Sequence, residues 1–259
     1  SQGLEGSSLH ELLGWDSVQW AESFSSDPHP VSHPAFAQRV TAHAPISCSP
    51  GLLQRALQPD RVPCTIHCEE AFEDREFLSM GSGPWADFLN RLGRPWKDTW
   101  VPADSGVALL DQLNVLHSQV GLVHLVFAST EDLDRVAASG ARVILCPRSN
   151  LHISGRLPDV PAMLERQIPL AIGTDSLASA PDLDPLAEAA LLHDRFPEVR
   201  PEVWIRALTK GGAALLPTIH LGQLSPGFRP GVLSVELPED EDPIRRLLDG
   251  SSWKRYWAA

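Results

Sequence analysis

The sequence lacks the long apolar runs and basic clusters that would place the protein in a membrane or on nucleic acid. No apolar stretch approaches roughly 18 residues, so we expect no membrane span, and the first residues, SQGLEGSSLH, do not resemble a signal peptide. Lysine and arginine number 21 against 33 acidic residues, which gives a net charge of -12. An acidic chain without a Lys/Arg-rich run argues against nucleic acid and anionic membranes as partners.

The sequence also lacks paired cysteines. Its four cysteines form no Cys-x-x-Cys motif, and each lies within an apolar run. We therefore interpret the cysteines as reduced thiols, and reduced thiols indicate a cytoplasmic protein. They are Cys48, Cys64, Cys68 and Cys146.

Short apolar strands alternate with helical segments from about residue 36 to 216. Because 43% of the 259 residues are hydrophobic, the chain can bury one sizeable core. Strand, polar tip and helix in repetition are typical of βα units around a parallel sheet. After residue 216 the sequence is turn-rich, and two short segments, 232–237 and 253–257, read as strands that need partner strands.

The stretch LAIGTDSLAS, residues 170–179, shows where chemistry could lie. Its apolar start reads as a buried strand, and Asp175 follows directly after Gly173 and Thr174. Barrels of the (β/α)₈ type place their chemistry at the C-terminal ends of strands, so Asp175 is a candidate metal ligand or general base. Taken alone, the segment favours the alternative that Asp175 caps the next helix.

Three earlier predicted strand ends carry a histidine in the same position. They are His43, His67 and His124, and Glu70 stands three residues after His67. Neutral imidazole and carboxylate groups are ligands that suit zinc or iron. A single buried histidine is more often a hydrogen-bonded core residue than a metal ligand. Several polar side chains at successive strand ends are harder to explain as core packing, because each one costs free energy of desolvation unless it is paired. The sequence therefore predicts a metal site at this edge of the sheet.

Four segments, in this order, resemble the amidohydrolase superfamily: TIHCEEAFEDREFL, GLVHLVFAS, VILCPRSNLHISG and LAIGTDSLAS. The branch that they resemble comprises the cytosine/adenosine-type deaminases and triazine chlorohydrolases, including the aminofutalosine deaminases. AHAPISCSP resembles the segment that supplies a substrate-contacting histidine, and LGQLSPG resembles the family's return into a small β-sandwich. The resemblance covers roughly residues 38–226 and implies an α/β fold, a TIM-like (β/α)₈ metal-dependent hydrolase barrel.

The resemblance implies a role for each candidate residue. His67 would be a metal ligand, and Asp175 would be both a ligand and a proton acceptor. Glu70 would pass a proton to a ring nitrogen of the substrate, and His124 would orient the attacking water; both would contact the substrate, as would His43. One divalent ion, zinc or alternatively iron or nickel, would lower the pKa of its water so that hydroxide forms near pH 7.

The implied reaction is addition of that metal-bound hydroxide to an amidine-like ring carbon, with loss of ammonia. Loss of chloride is the alternative. The substrate would be a small aminated heterocycle of purine or pyrimidine type.

The sequence departs from the family pattern at its start. It contains no His-x-His, the motif with which the family's first strand supplies two more ligands. LHELLGWD resembles the third strand, so we expect an incomplete barrel of strands three to eight over residues 1–216. Residues 217–259 would be a remnant of the β-sandwich. We expect this chain to be the C-terminal part of a deaminase; a non-catalytic binding or scaffold protein is the alternative.

The ligand count and the sheet edges give two further expectations. Catalytic zinc sites generally have three protein ligands, whereas the resemblance supplies His67 and Asp175, with His124 as a candidate third. The chain alone is therefore expected to be inactive and to bind divalent metal weakly, unless His10 or His29 completes the site. Unpaired edges of an open barrel would favour either a homo-oligomer or a missing N-terminal segment as partner.

Overall fold

The computed structural model describes residues 6–15, 36–58, 63–216, 220–228, 232–235, 242–248 and 255–258. The elements follow in chain order as β1 (Gly6–Leu12), β2 (Phe36–Ala42), α1 (Pro50–Ala56), β3 (Cys64–Cys68), α2 (Phe72–Met80), α3 (Gly83–Arg91), a 3₁₀ turn (Trp96–Asp98), α4 (Gly106–Gln112), β4 (Val120–His124), α5 (Thr130–Ser139), β5 (Arg142–Leu145), α6 (Pro147–Ile153), α7 (Val160–Glu165), β6 (Leu170–Ile172), α8 (Pro185–Arg195), α9 (Pro201–Arg206), a π-helical turn (Ala207–Gly211), β7 (Val232–Val235), α10 (Pro243–Leu248) and β8 (Arg255–Ala258).

The chain divides into two compact units. The first contains Ser1–Val143 and Pro158–Ile168, and the second contains Ile144–Leu157 and Pro169–Ala259. The order of strands and helices confirms the predicted βα pattern. The boundary expected at residue 216 stays a prediction.

Parallel pairing brings the predicted strand ends of the first unit together. β1 pairs with β2 in parallel, with Glu11 opposite Thr41, and β3 pairs with β4 in parallel, with Cys68 opposite His124. The C-terminal end of β2 lies next to β3, where the His67 N–H donates to the His43 carbonyl at 2.9 Å. The strands of the larger sheet stand in chain order, β3-β4-β5-β6. β7 and β8 form a separate antiparallel pair.

Serine caps fix the starts of three helices in the first unit. Ser49 Oγ accepts from the Leu52 N–H at 3.3 Å at the start of α1. Ser105 and Ser129 cap α4 and α5 in the same way. Such oxygens satisfy N–H groups that have no partner inside the helix. Proline follows the cap at the start of α1, where its missing N–H costs nothing.

The core of the first unit is aliphatic and aromatic. All five residues of β4 are buried, as expected for a strand covered on both faces. Three large side chains of the neighbouring helices are fully buried as well: Leu52 and Leu53 of α1 and Phe77 of α2. The four cysteines are buried and form no disulfide, and burial raises the pKa of Cys64 to about 11. Among the described helices, none has the length and apolar character needed to cross a membrane.

Candidate functional site

His67 and His124 meet at the ends of β3 and β4. His67 Nδ1 lies 2.9 Å from His124 Nε2, and the two rings stack with centroids 5.1 Å apart. If side chains alternated regularly along β4, the His124 ring would lie on the same face of the sheet as Cys68, the residue opposite it on β3. The backbone of His124 is left-handed instead, with φ of 80°, and its fully buried ring contacts His67.

Glu70 joins this pair from the loop after β3. Its Oε1 lies 3.4 Å from His124 Nε2, and its side chain keeps about a quarter of its exposure. The structure thus brings together three of the predicted site residues, Glu70, His67 and His124, within the first unit. A carboxylate beside two imidazoles, partly open to solvent, is an arrangement that can transfer protons.

His43 lies beside His67, with ring centroids 5.2 Å apart. Its Nδ1 is 2.8 Å from Ser47 Oγ, and that hydroxyl lies 3.2 Å from the Ala44 carbonyl oxygen. The hydroxyl has one proton for these two acceptors, so the tautomer of His43 depends on which of them it bonds. Burial, and then the charge of His67, lower the pKa of His43, whereas Glu11 raises it.

Glu11 is a site residue that the sequence analysis missed. Its Oε1 lies 3.3 Å from His67 Nε2. It stands near the C-terminal end of β1, the same position that selected the histidines, and this signal could have identified it. His10, its neighbour, is exposed, and His29 lies outside the described residues.

The donors in the first unit fit a divalent ion. Glu11, His43 and His67 form one group whose ligand atoms lie within 4.8 Å of one another, and His67, Glu70 and His124 form another. Imidazole nitrogens and carboxylate oxygens are the donor types of catalytic zinc sites. His67 belongs to both groups and is therefore the central donor.

Asp175 lies in the second unit, in the loop after β6. It has a left-handed backbone, with φ of 59°. Its Oδ2 accepts from Ser149 Oγ at 2.7 Å and from Ser179 Oγ at 2.8 Å. The alternative that Asp175 caps the next helix is wrong, because Asp184 caps α8 through a bond from the Leu186 N–H at 3.0 Å.

Glu69, the residue before Glu70, belongs to a network of hydrogen-bonded charged side chains. Glu69 Oε2 accepts from Arg75 Nε at 2.5 Å, and its Oε1 accepts from the Gly106 N–H at 2.6 Å. The other arm of Arg75 donates to Asp132, which also accepts from Ser105 Oγ at 2.5 Å. Burial raises the pKa of Glu69 to about 7, although Arg75 and the Gly106 N–H act to lower it.

The profile of the amidohydrolase family matches residues 32–251 of this sequence. The chain belongs to the amidohydrolase family. It is 31% identical over 216 residues to the aminodeoxyfutalosine deaminase of Deinococcus radiodurans, covering 77% of this chain and 51% of that protein. It is 33% identical over 206 residues to a 5-methylthioadenosine/S-adenosylhomocysteine deaminase of Syntrophobacter fumaroxidans, covering 75% and 42%.

A solved structure supports the same fold. The adenosine deaminase of Xanthomonas campestris with bound zinc has a TM-score of 0.71 and 21% identity, covering 93% of this chain and 56% of that one. The predicted resemblance and the predicted amidohydrolase barrel fold are therefore confirmed. This chain spans about half the length of the curated relatives that it matches.

Proposed function

We propose that the protein is a metal-dependent hydrolase that removes an amino group from a nucleoside-like heterocycle. The observation that carries this proposal is the contact of His67, His124 and Glu70 at neighbouring strand ends of an amidohydrolase. The two relatives are named for deaminating aminodeoxyfutalosine and 5-methylthioadenosine or S-adenosylhomocysteine. These compounds define the substrate class to test first.

His67 is the proposed metal ligand of the first unit, because its donor atoms belong to both ligand groups. The sequence resemblance adds Asp175 as a second ligand. When bound, the ion would lower the pKa of a water molecule and so supply a nucleophile near neutral pH. Zinc is the first ion to test because the Xanthomonas adenosine deaminase binds it; iron and nickel are the alternatives.

The side chains of this chain would manage the protons. Glu70 would give a proton to a ring nitrogen of the substrate, which makes the adjacent carbon electrophilic. His124, hydrogen-bonded to His67, would orient the attacking water, and His43 would contact the substrate. A C–O bond forms and the C–N bond breaks. One of the two protons of the water leaves with the amino group as ammonia, and the other replaces the proton that Glu70 gave to the ring nitrogen.

Glu70→Gln tests this proposal. The test uses this chain joined to a segment that carries the family's His-x-His, because the chain alone is expected to be inactive. Loaded with zinc, that protein should release ammonia from aminodeoxyfutalosine, 5-methylthioadenosine or S-adenosylhomocysteine. Glu70→Gln should lower kcat by about 10²- to 10⁴-fold, the usual contribution of general acid–base catalysis, while elemental analysis finds the metal retained. Glu73→Gln, an exposed glutamate three residues further along the chain, is the matched control and should keep wild-type turnover.

Two outcomes contradict the proposal. If the protein with the His-x-His segment restored holds no zinc, iron or nickel after loading, the metal-dependent mechanism is excluded. A protein that holds metal but releases no ammonia from any compound would favour the alternative, a non-catalytic binding or scaffold member of the family.

A further inference from the structure

The backbone of Glu69 decides which way Glu70 faces. Burial alternates along β3 up to Cys68, as in a regular strand. If that alternation continued, Glu70 would lie on the side of Cys68, opposite to His67. Glu69 has φ of 54° instead, and Glu70 lies 3.4 Å from His124 Nε2, the nitrogen that also contacts His67. The left-handed residue reverses the direction of the next side chain.

A glutamate rarely adopts this backbone conformation without support, because its Cβ crowds the following carbonyl. The support here is a tether on the buried side chain of Glu69. The carboxylate accepts from the Gly106 N–H at 2.6 Å and from Arg75 Nε at 2.5 Å. The backbone is fixed as well, because the Glu69 carbonyl accepts from the Phe127 N–H at 3.0 Å.

Arg75 is itself held in place. It donates to Asp132, whose carboxylate also accepts from Ser105 Oγ at 2.5 Å and from the Ser129 N–H at 2.9 Å. The planar guanidinium therefore bridges two buried carboxylates in a fixed orientation. The network joins α2 to the first turns of α4 and α5, so the position of Glu69 is set by three helices.

We propose that the Glu69–Arg75 pair is a positioning device that holds Glu69 left-handed and so directs Glu70 to His124. This inference rests on the proposed role of Glu70 in proton transfer. Glu69 and Arg75 act through Glu70 and touch no substrate.

Two substitutions of Glu69 separate a conformational role from the mere loss of a buried charge. Glu69→Val and Glu69→Gly remove the same carboxylate and leave Arg75 with the same partners. Glycine adopts positive φ readily, whereas a β-branched side chain does not. Glu69→Val should therefore lower kcat on the order of 10²-fold, approaching the loss of the acid–base group itself. Glu69→Gly should lose much less, and both should keep the wild-type KM and metal content.

Arg75→Met is a second variant, in case Glu69→Val does not fold. It leaves residue 69 unchanged and removes half of the tether, so kcat should fall several-fold with KM unchanged. Arg166→Met is the control, because it removes an ion pair with Asp134 at 2.7 Å elsewhere in the first unit and should leave kcat unchanged. Equal losses in Glu69→Val and Glu69→Gly would overturn the proposal.

A structural measurement keeps this inference separate from the proposed function. Crystal structures of the wild type and Glu69→Val, or of Arg75→Met if that variant alone folds, should show the Glu70 carboxylate turned away from His124 in the variant only. This measurement needs no turnover, so it stands even if the wild type deaminates nothing. A variant in which Glu70 remains beside His124 would refute the positioning role.

Discussion

Replacing Glu69 by glutamine should flatten the pH dependence of folding stability. The Glu69 carboxyl is fully buried, and burial raises its pKa from 4.5 to about 7 against the opposing effects of Arg75 and the Gly106 N–H. In the unfolded chain the same carboxyl is solvated and titrates near its ordinary pKa. The folded state therefore binds a proton across this interval, where the unfolded state has lost it.

The sign and size follow from this difference. Because the folded form binds the proton more tightly, the contribution of Glu69 to stability is fully present below about pH 4.5. It is lost as the pH rises through about 7. A shift of this size corresponds to about 3 kcal/mol, at roughly 1.4 kcal/mol per pH unit. Glutamine does not titrate, so Glu69→Gln removes this contribution to the slope.

Urea unfolding with a metal chelator at pH 5 and pH 8 measures the effect. We expect the wild type to lose about 2–3 kcal/mol more of its free energy of unfolding than Glu69→Gln over this interval. Glu73→Gln, which changes an exposed carboxylate four residues further along the chain in α2, should keep the wild-type slope. An unchanged slope in Glu69→Gln would refute the argument that burial dominates the titration of Glu69.

Three further changes test the packing, capping and charge burial described above. Phe77→Ala should cost about 3–5 kcal/mol of unfolding free energy because Phe77 is fully buried; Phe72→Ala, 64% exposed, should stay within about 0.5 kcal/mol of the wild type, and equal losses would contradict this. Ser129→Ala should cost about 1 kcal/mol through loss of the α5 cap, and an unchanged thermal midpoint would argue against that cap. Arg148→Met should cost about 3–5 kcal/mol because it removes the ion pair with the buried Glu188 at 2.7 Å and leaves only the backbone N–H of residue 148 as donor. Since burial raises the pKa of Glu188, the loss measured by urea unfolding should be smaller at pH 5 than at pH 8. The opposite order would refute this argument.

The meeting of His67, His124 and Glu70 could be anticipated from the sequence for a physical reason. Parallel strands end at the same edge of a sheet, so polar residues that follow successive apolar runs must come close together. This reasoning needs only the order of strands. The pairing of β3 with β4, with Cys68 opposite His124, supplies that order.

Glu69 could not be recognised in the same way. Its partners are Arg75, six residues away, and the Gly106 N–H, 37 residues away, and no local pattern connects them. A glutamate in the sequence carries no sign that it will be buried, since burial depends on donors that only the folded chain brings together. The sequence could not identify the residue that caps α8 for a related reason, because Asp175 and Asp184 are equally suitable by residue type.

The backbone accounts for the remaining difference between pattern and structure. Glu69, His124 and Asp175 all have positive φ, and none is a glycine that would announce it. Alternation within a strand predicts the facing of each side chain only while the backbone stays extended. Strained residues of this kind persist where surrounding contacts over-determine them, and they cluster at functional positions. The period-two pattern therefore gives no information on the direction of the side chains at these residues of the proposed site, where hydrogen bonds from other elements fix the backbone instead.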